Sequence, residues 1–322
     1  TTSKKKVKVP DTVTIDGTTY KVTSIEANAF KNDKKLTTVT VGKNVETIGK
    51  NAFAGATKLK TVTLGKSVTS IGKGAFSGDK KLKTVTIASG VTSLCNYAFY
   101  NCKSMESLSV GRALSEAGNG AFMNCRSLRR LLIRADVSEA TGLKALLKQL
   151  RSEIEVSFCP PQGIPEGVQA KILYPEYMTS YEEVSPAHIF GVHVEGEGYR
   201  AREQFRDGAL DFQGYDAVFA KAKNEESTDT LFQMAAYRLR YPVRLSEGAK
   251  AEYARFLKEN ERGVLHEIVA ARKETELAFL CGSGLLTEEG RLHAIREASA
   301  AGWLEGNRLL ILAGMQEAVK RA

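Results

Sequence analysis

Residues 48–68 read "IGKNAFAGATKLKTVTLGKSV", and nearly the same phrase begins again at Ile71. Phe53 in this stretch belongs to a series, Phe30, Phe53, Phe76, Phe99 and Phe122, stepping by 23 residues. The same interval carries Leu36, Leu59, Leu82, Met105 and Leu128, and again Val39, Val62, Val85, Leu108 and Leu131. A fixed period of roughly 20–29 residues with spaced leucines marks a leucine-rich solenoid. Within the unit, "KTVTL" alternates apolar and polar, so Val62 and Leu64 face a core while Thr61 and Thr63 face solvent. A Gly or Ser turn follows, then the short extended "VTSI", and the Ala-Phe pair drops its ring onto the core from the other side. Only a neighbouring coil covers that cluster. Burying each such side chain is worth about 1.5–3 kcal/mol, so one coil is unstable and five or more hold.

The phrase I-x-x-x-A-F, then L-x-x-V-x-V/L/I, then V-x-x-I, as in Ile48 to Ile71, resembles the BspA-like bacterial leucine-rich repeats over residues 22–137. Members of that family are commonly surface or secreted proteins that bind other proteins or matrix. The resemblance therefore implies an interaction scaffold at the cell surface or outside it. Two departures mark the end of the array: Ala117 stands where Ile is expected, and Arg130 and Leu132 replace the solvent-facing threonines.

Ends of a solenoid need covers. "VTIDGTTYKV" reads as a hairpin turning at Asp16-Gly17 that caps the first coil. "VSEATGLKALLKQLRS" reads as a helix with Ser138 as N-cap, followed by strands in "EIEVSF" and "AKILYP". The predicted domains are a solenoid with its caps at 1–175 and, at 176–322, a hairpin followed by helical hairpins. "AHIFGVHVEGEGYRARE" supplies that hairpin, turning at Glu195–Gly198. Beyond Asp211, capping residues precede periodic apolar runs in "STDTLFQMAAYRLRYP" and "SEGAKAEYARFLKEN". Two-helix units of about 30 residues are predicted there, loosely ankyrin-like in rhythm.

With 322 residues and 43% apolar content, the chain buries a sizeable core. No apolar run approaches the roughly 18 residues of a membrane helix, and "TTSKKKVKVP" lacks the apolar segment of a signal peptide. The chain reads as soluble, and the odd count of five cysteines is compatible with the cytoplasm.

The net charge of +9 is uneven: residues 1–111 hold 18 Lys against 7 acidic residues, the remainder 28 basic against 30 acidic. The first Arg is Arg112 and the first Cys is Cys95. Nothing in folding requires such a change of composition within one array, which opens a second reading: a hybrid of two repeat proteins, joined near residues 90–112, with no evolved ligand.

Chemistry is sparse. The cysteines (95, 102, 125, 159, 281) form no CxxC pair, and no H-E-x-x-H, G-x-S-x-G or Walker phrase occurs. No metal, cofactor or catalytic residue is predicted. His188 and His193, five apart on an expected strand, project to opposite faces, and His266 and His293 read as surface or packing residues. "EGEGY" at 195–199 lacks the third glycine of a nucleotide loop and reads as the hairpin turn. Cys102 and Cys125 follow the repeat Phe by three residues and read as stacked buried thiols.

The candidate binding surface is the concave strand face: Thr38, Thr40, Thr61, Thr63, Thr84, Thr86, Ser107 and Ser109, with Lys43 and Lys66 beside it. Such a ladder also suits a strand face on β-propensity alone. Lys58, Lys60, Lys81 and Lys83 read as charges that protect strand edges, with weak polyanion binding as the alternative. The face offers no aromatic platform for bases, so nucleic acid is not indicated as a partner.

Overall fold

The computed structural model describes residues 4–160, 167–183 and 190–321. Its contacts divide the chain into two units, residues 1–211 and 212–322.

The first unit is built on two ladders. The chain runs through β1 (Lys6–Lys8), β2 (Thr12–Ile15), β3 (Thr18–Lys21), β4 (Ser24–Ile25), β5 (Thr38–Thr40), β6 (Thr47–Ile48), β7 (Thr61–Thr63), β8 (Ser70–Ile71), β9 (Thr84–Thr86), β10 (Ser93–Leu94), β11 (Ser107–Gly111), β12 (Glu116–Ala117) and β13 (Arg130–Arg134). Then follow α1 (Leu143–Leu147), β14 (Ile154–Phe158), β15 (Ala170–Tyr174), β16 (Met178–Glu183), β17 (Phe190–Glu195), α2 (Gly198–Arg202), β18 (Phe205–Arg206) and β19 (Ala209–Leu210). The larger sheet has eight strands in the order β1-β5-β7-β9-β11-β13-β14-β15, and the smaller has five, β12-β10-β8-β6-β4. The array is thus a solenoid with 23-residue coils and a parallel sheet. Thr38 pairs with Thr61 and Thr61 with Thr84, so each column of the sequence is a row in space. The register crosses the change of composition unbroken, Ser107 pairing with Thr84.

The core between the ladders is a set of stacked columns. Phe53, Phe76 and Phe99 are fully buried and Phe122 nearly so. Adjacent rings lie nearly parallel, their centroids 5.2 Å apart from Phe30 to Phe99 and 5.6 Å apart from Phe99 to Phe122. The turn that carries each Phe begins and ends in the left-handed region. Asn28, Asn51, Gly74, Tyr97 and Gly120 have φ of +55 to +64°, and Asn32, Gly55, Gly78, Asn101 and Asn124 have φ of +59 to +80°. Glycine and asparagine tolerate that geometry best, which explains the N/G-A-F-x-N/G phrase. Tyr97 is the exception.

At the front, the Asp16-Gly17 turn is present, with φ +49 and +78°. The hairpin β2–β3 does not cap the core, however: all eight of its strand residues are exposed. It is an insertion in the first coil, and β1, paired with β5, forms the sheet edge. At the back, β14 extends the sheet in parallel and β15 closes it antiparallel. The helix α1 is five residues long, with Gly142 at its N-cap; Ser138 does not cap it, and its Oγ instead donates to Asp136 Oδ1 at 2.5 Å.

The second hairpin differs from expectation. β17 pairs antiparallel with β16, so the connection lies in 184–189, outside the described residues, and Glu195–Gly198 leads into α2. The reason is Arg202 of α2, which is buried. Its Nε donates to Leu150 O at 3.0 Å, and Nη2 donates to Ser152 O at 2.8 Å. Nη1 donates to Gly198 O at 2.8 Å and also to Pro175 O. A guanidinium with this many main-chain acceptors ties 198–202 to the end of the solenoid. The expected boundary at 175/176 accordingly gives way to one after Asp211.

The second unit consists of α3 (Phe212–Ala222), α4 (Thr228–Arg240), α5 (Glu247–Glu259), α6 (Glu261–Ala270), α7 (Glu274–Ser283), α8 (Glu288–Ala300) and α9 (Leu304–Arg321). Ser227, Ser246 and Thr287 cap α4, α5 and α8 by accepting from the N–H of Thr230, Ala249 and Gly290. Successive pairs stack, α6 on α8 and α7 on α9. Its centre is polar: buried Arg238 donates to Asp216 from Nε (2.7 Å) and Nη2 (3.0 Å), and Tyr253 OH donates to the same carboxylate at 2.8 Å.

Candidate functional site

The threonine columns come together as two straight rows on the solvent face of the large sheet. Thr61, Thr63, Thr84 and Thr86 are exposed; Thr38, Thr40 and Ser107 are half-buried. Ser107 Oγ lies 3.1 Å from Thr84 Oγ1, so the hydroxyls also bond along the row. Ser109 is covered, because Arg134 Nε donates to its Oγ at 2.9 Å and leaves it 7% exposed. Lys43 is held by the N-terminal segment, its Nζ 3.6 Å from Asp11 Oδ2 and its N–H donating to Asp11 Oδ1 at 2.7 Å. Lys66, one period on, is exposed.

Beside the starts of these strands lies a cleft of about 330 Å³ lined by Lys5, Lys35, Thr37, Lys58, Lys60 and Lys81. None of its five lysines is ion-paired among the described residues. Further along the stack the charge is neutralised, Lys83 pairing with Glu106 at 3.0 Å and Arg130 standing 3.9 Å from the same carboxylate. The spacing of 35, 58 and 81 was visible in the sequence. That no carboxylate among the described residues pairs with them is a property of the folded surface.

The column three residues after each Phe runs Asp33, Ala56, Asp79, Cys102, Cys125. Cys102 and Cys125 are buried thiols that donate to Phe76 O and Phe99 O, each at 3.1 Å. The Cys102 thiol is pushed well up, first by its hydrogen bond with Cys125 and then by burial, the opposite of what activates a nucleophile. Asp33 Oδ1 accepts from Lys35 N–H (3.0 Å) and Leu36 N–H (3.3 Å). Neither carboxylate oxygen of Asp79 has a hydrogen-bond partner among the described residues. Burial holds its carboxyl well above the ordinary value, and the nearby Ala56 main chain, whose N–H is given to Phe53 O, lowers it only in part.

In the helical unit, His266 Nδ1 and His293 Nε2 lie 3.0 and 3.5 Å from Glu297 Oε1. Glu297 raises the His266 pKa, through the hydrogen bond first and its charge second. His188 lies outside the described residues. No group of three or more His, Cys, Asp or Glu among the described residues could hold a metal ion, and no described helix is long and apolar enough to cross a membrane.

The description "BspA type leucine rich repeat region" matches residues 23–142, in six copies. Over that stretch the array matches the BspA-type leucine-rich repeats. No curated protein matches the chain. Among solved structures, the BspA-type array resembles a leucine rich cell surface protein from Faecalibacterium prausnitzii (24% identity, 41% of this chain, 33% of that one, TM-score 0.37). It also resembles a leucine rich repeat protein of T. pallidum (26%, 40% and 58%, TM-score 0.37). A third is a leucine-rich repeat protein from Bacteroides capillosus (30%, 34% and 78%, TM-score 0.32). The match spans a third of the first of these and just over half of the second. The BspA-type repeats end before α1, so the family says nothing of the helical unit.

Proposed function

We propose that the protein is a non-enzymatic interaction scaffold of bacterial type, at the cell surface or secreted, which presents the threonine rows to another protein or a matrix component. The observation that carries this reading is the exposure of Thr61, Thr63, Thr84 and Thr86 in register on one continuous sheet. A flat face with its hydroxyls already ordered loses little entropy on docking, and the described residues gather no catalytic cluster that competes with it. The full chain is to be screened by biolayer interferometry against a panel of extracellular matrix proteins at low and high salt. Salt-resistant binding that falls at least tenfold in Thr61→Glu/Thr84→Glu supports the strand face. Binding untouched by that pair of changes sinks it, and binding to nothing favours a hybrid array without an evolved ligand.

The lysine cleft favours a second reading, polyanion binding, because five cations without ion-pair partners among the described residues face one hollow. It predicts affinity for heparin that declines steeply with salt. Affinity that salt leaves unchanged rules it out.

A further inference from the structure

Every turn of the array hands its main-chain donors forward to the next. The N–H groups of Asn28, Phe30 and Asn32 donate to Lys50, Ala52 and Ala54. Three coils later, those of Tyr97, Phe99 and Asn101 donate to Asn119, Ala121 and Met123 at 3.0, 2.8 and 2.9 Å. The intervening turns follow the same rule. The last turn has no successor, because α1 stands where the next would be. Gly120 N–H is taken instead by the Gln149 side chain, whose Oε1 accepts it at 3.0 Å. The N–H groups of Phe122 and Asn124 make no hydrogen bond among the described residues. Amides left without acceptors in a largely buried turn are uncommon, and each calls for an explanation.

Both residues line a cleft of about 640 Å³ between the last turn and the segment after α1. The rest of that cleft brings together Arg126, Arg129, Lys148 and Arg151 against a single carboxylate, Glu176. Among the described residues none of the four cations is ion-paired. Arg129 is steadied by donating to Arg126 O and Leu128 O, and Arg151 by donating to Thr179 Oγ1. Met123, 51% exposed, adds an apolar wall.

We propose that this cleft binds an extended acidic peptide segment of a partner protein. Its carbonyls take the place of the missing turn's at Phe122 N–H and Asn124 N–H, and its carboxylates meet Arg126, Lys148 and Arg151. Donors two residues apart match the carbonyls along one edge of an extended chain, the geometry of peptides added to an open main-chain edge. Guanidinium groups pair with carboxylates by two parallel hydrogen bonds, which a point charge does not offer. A lone oxyanion matches neither the paired donors nor the apolar wall. This site is separate from the threonine rows, so its failure leaves that reading standing.

The test uses the full chain and a fluorescein-labelled seven-residue peptide alternating glutamate with alanine or leucine, with its all-glutamine counterpart and inorganic sulfate beside it. Anisotropy is expected to show binding of the glutamate peptide that weakens at least tenfold in Arg126→Glu/Arg151→Glu. It should change less than twofold in the charge-matched Lys50→Glu/Lys73→Glu, whose positions lie outside the cleft. Hydrogen exchange of the Phe122 and Asn124 amides is expected to slow at least tenfold with the peptide and not with sulfate. Equal losses in both variants, unprotected amides, or protection by sulfate alone would each overturn the proposal.

Discussion

The solenoid and the helical unit bury their large side chains by opposite means. In the first, one residue type is stacked on copies of itself, as in the row from Phe30 to Phe122. In the second, a bidentate ion pair, Arg238 with Asp216, sits at the centre with Tyr253. The guanidinium also donates to Tyr241 O and Val243 O and lies 4.5 Å from the Phe212 ring centroid. A stacked column spreads each loss over two neighbours. A polar hub concentrates it in one place, because every group depends on the same carboxylate.

The sharpest way to break this comparison is Phe76→Ala, which removes a fully buried ring between two others. It should cost about 3–5 kcal/mol, measured by urea unfolding; a mild loss would refute the stacked core. Asp216→Ala should cost the helical unit about 3–5 kcal/mol by stranding a buried guanidinium, whereas Asp216→Leu combined with Arg238→Met should recover much of it. If the double change is no better than the single one, the hub is not an ion pair in the energetic sense.

Asp79 blurs the contrast by placing a polar group inside the column. Asp79→Cys gives this coil the thiol that its neighbour has at Cys102, and should stabilise by about 1–3 kcal/mol at neutral pH by removing an unsatisfied buried group. The sign with pH follows from the raised carboxyl. Below the ordinary carboxylate range Asp79 is protonated folded and unfolded, so ionisation makes no difference there. As pH rises through that range the unfolded chain ionises and the folded one does not, and the parent loses stability until its own raised pKa is passed. Melting temperatures of the two proteins should diverge over that window, and parallel curves would show Asp79 to be satisfied.

Smaller still, Tyr97→Asn should stabilise by about 1 kcal/mol, since Tyr97 alone among its equivalents holds φ +60° without being Asn or Gly. Differential scanning calorimetry reads this directly. Thr63→Ser on the open face should move stability by no more than about 0.5 kcal/mol, and a larger loss would mean that the rows are packed rather than displayed.

The columns were legible because a period of 23 residues is a local regularity that stacking converts into rows. The alternation in "KTVTL" placed Val62 inside and Thr61 outside, as found. The left-handed turn positions were equally present in the recurring Asn and Gly, but they become meaningful only once φ is known. The front hairpin was legible as a hairpin and not as the cap it was expected to be, and the C-terminal cap was legible in kind and not in detail. Ser138 has the chemistry of an N-cap, yet Asp136 takes its hydroxyl. The second hairpin was misplaced because strands choose partners by what surrounds them, and Arg202 draws the segment after β17 into a helix at the solenoid's end.

The candidate site divides in the same way. The amino-acid sequence alone determined which residues share a row, down to Thr61 with Thr84 and Lys35 with Lys58, because register in a repeat is arithmetic. Tertiary structure alone decided what each row meets: Arg134 over Ser109, Asp11 beside Lys43 and, among the described residues, no ion-pair partner for Lys58 and no acceptor for Phe122 N–H. Hydrogen bonds and ion pairs depend on groups far apart in the chain, and no local period encodes which partner arrives or fails to.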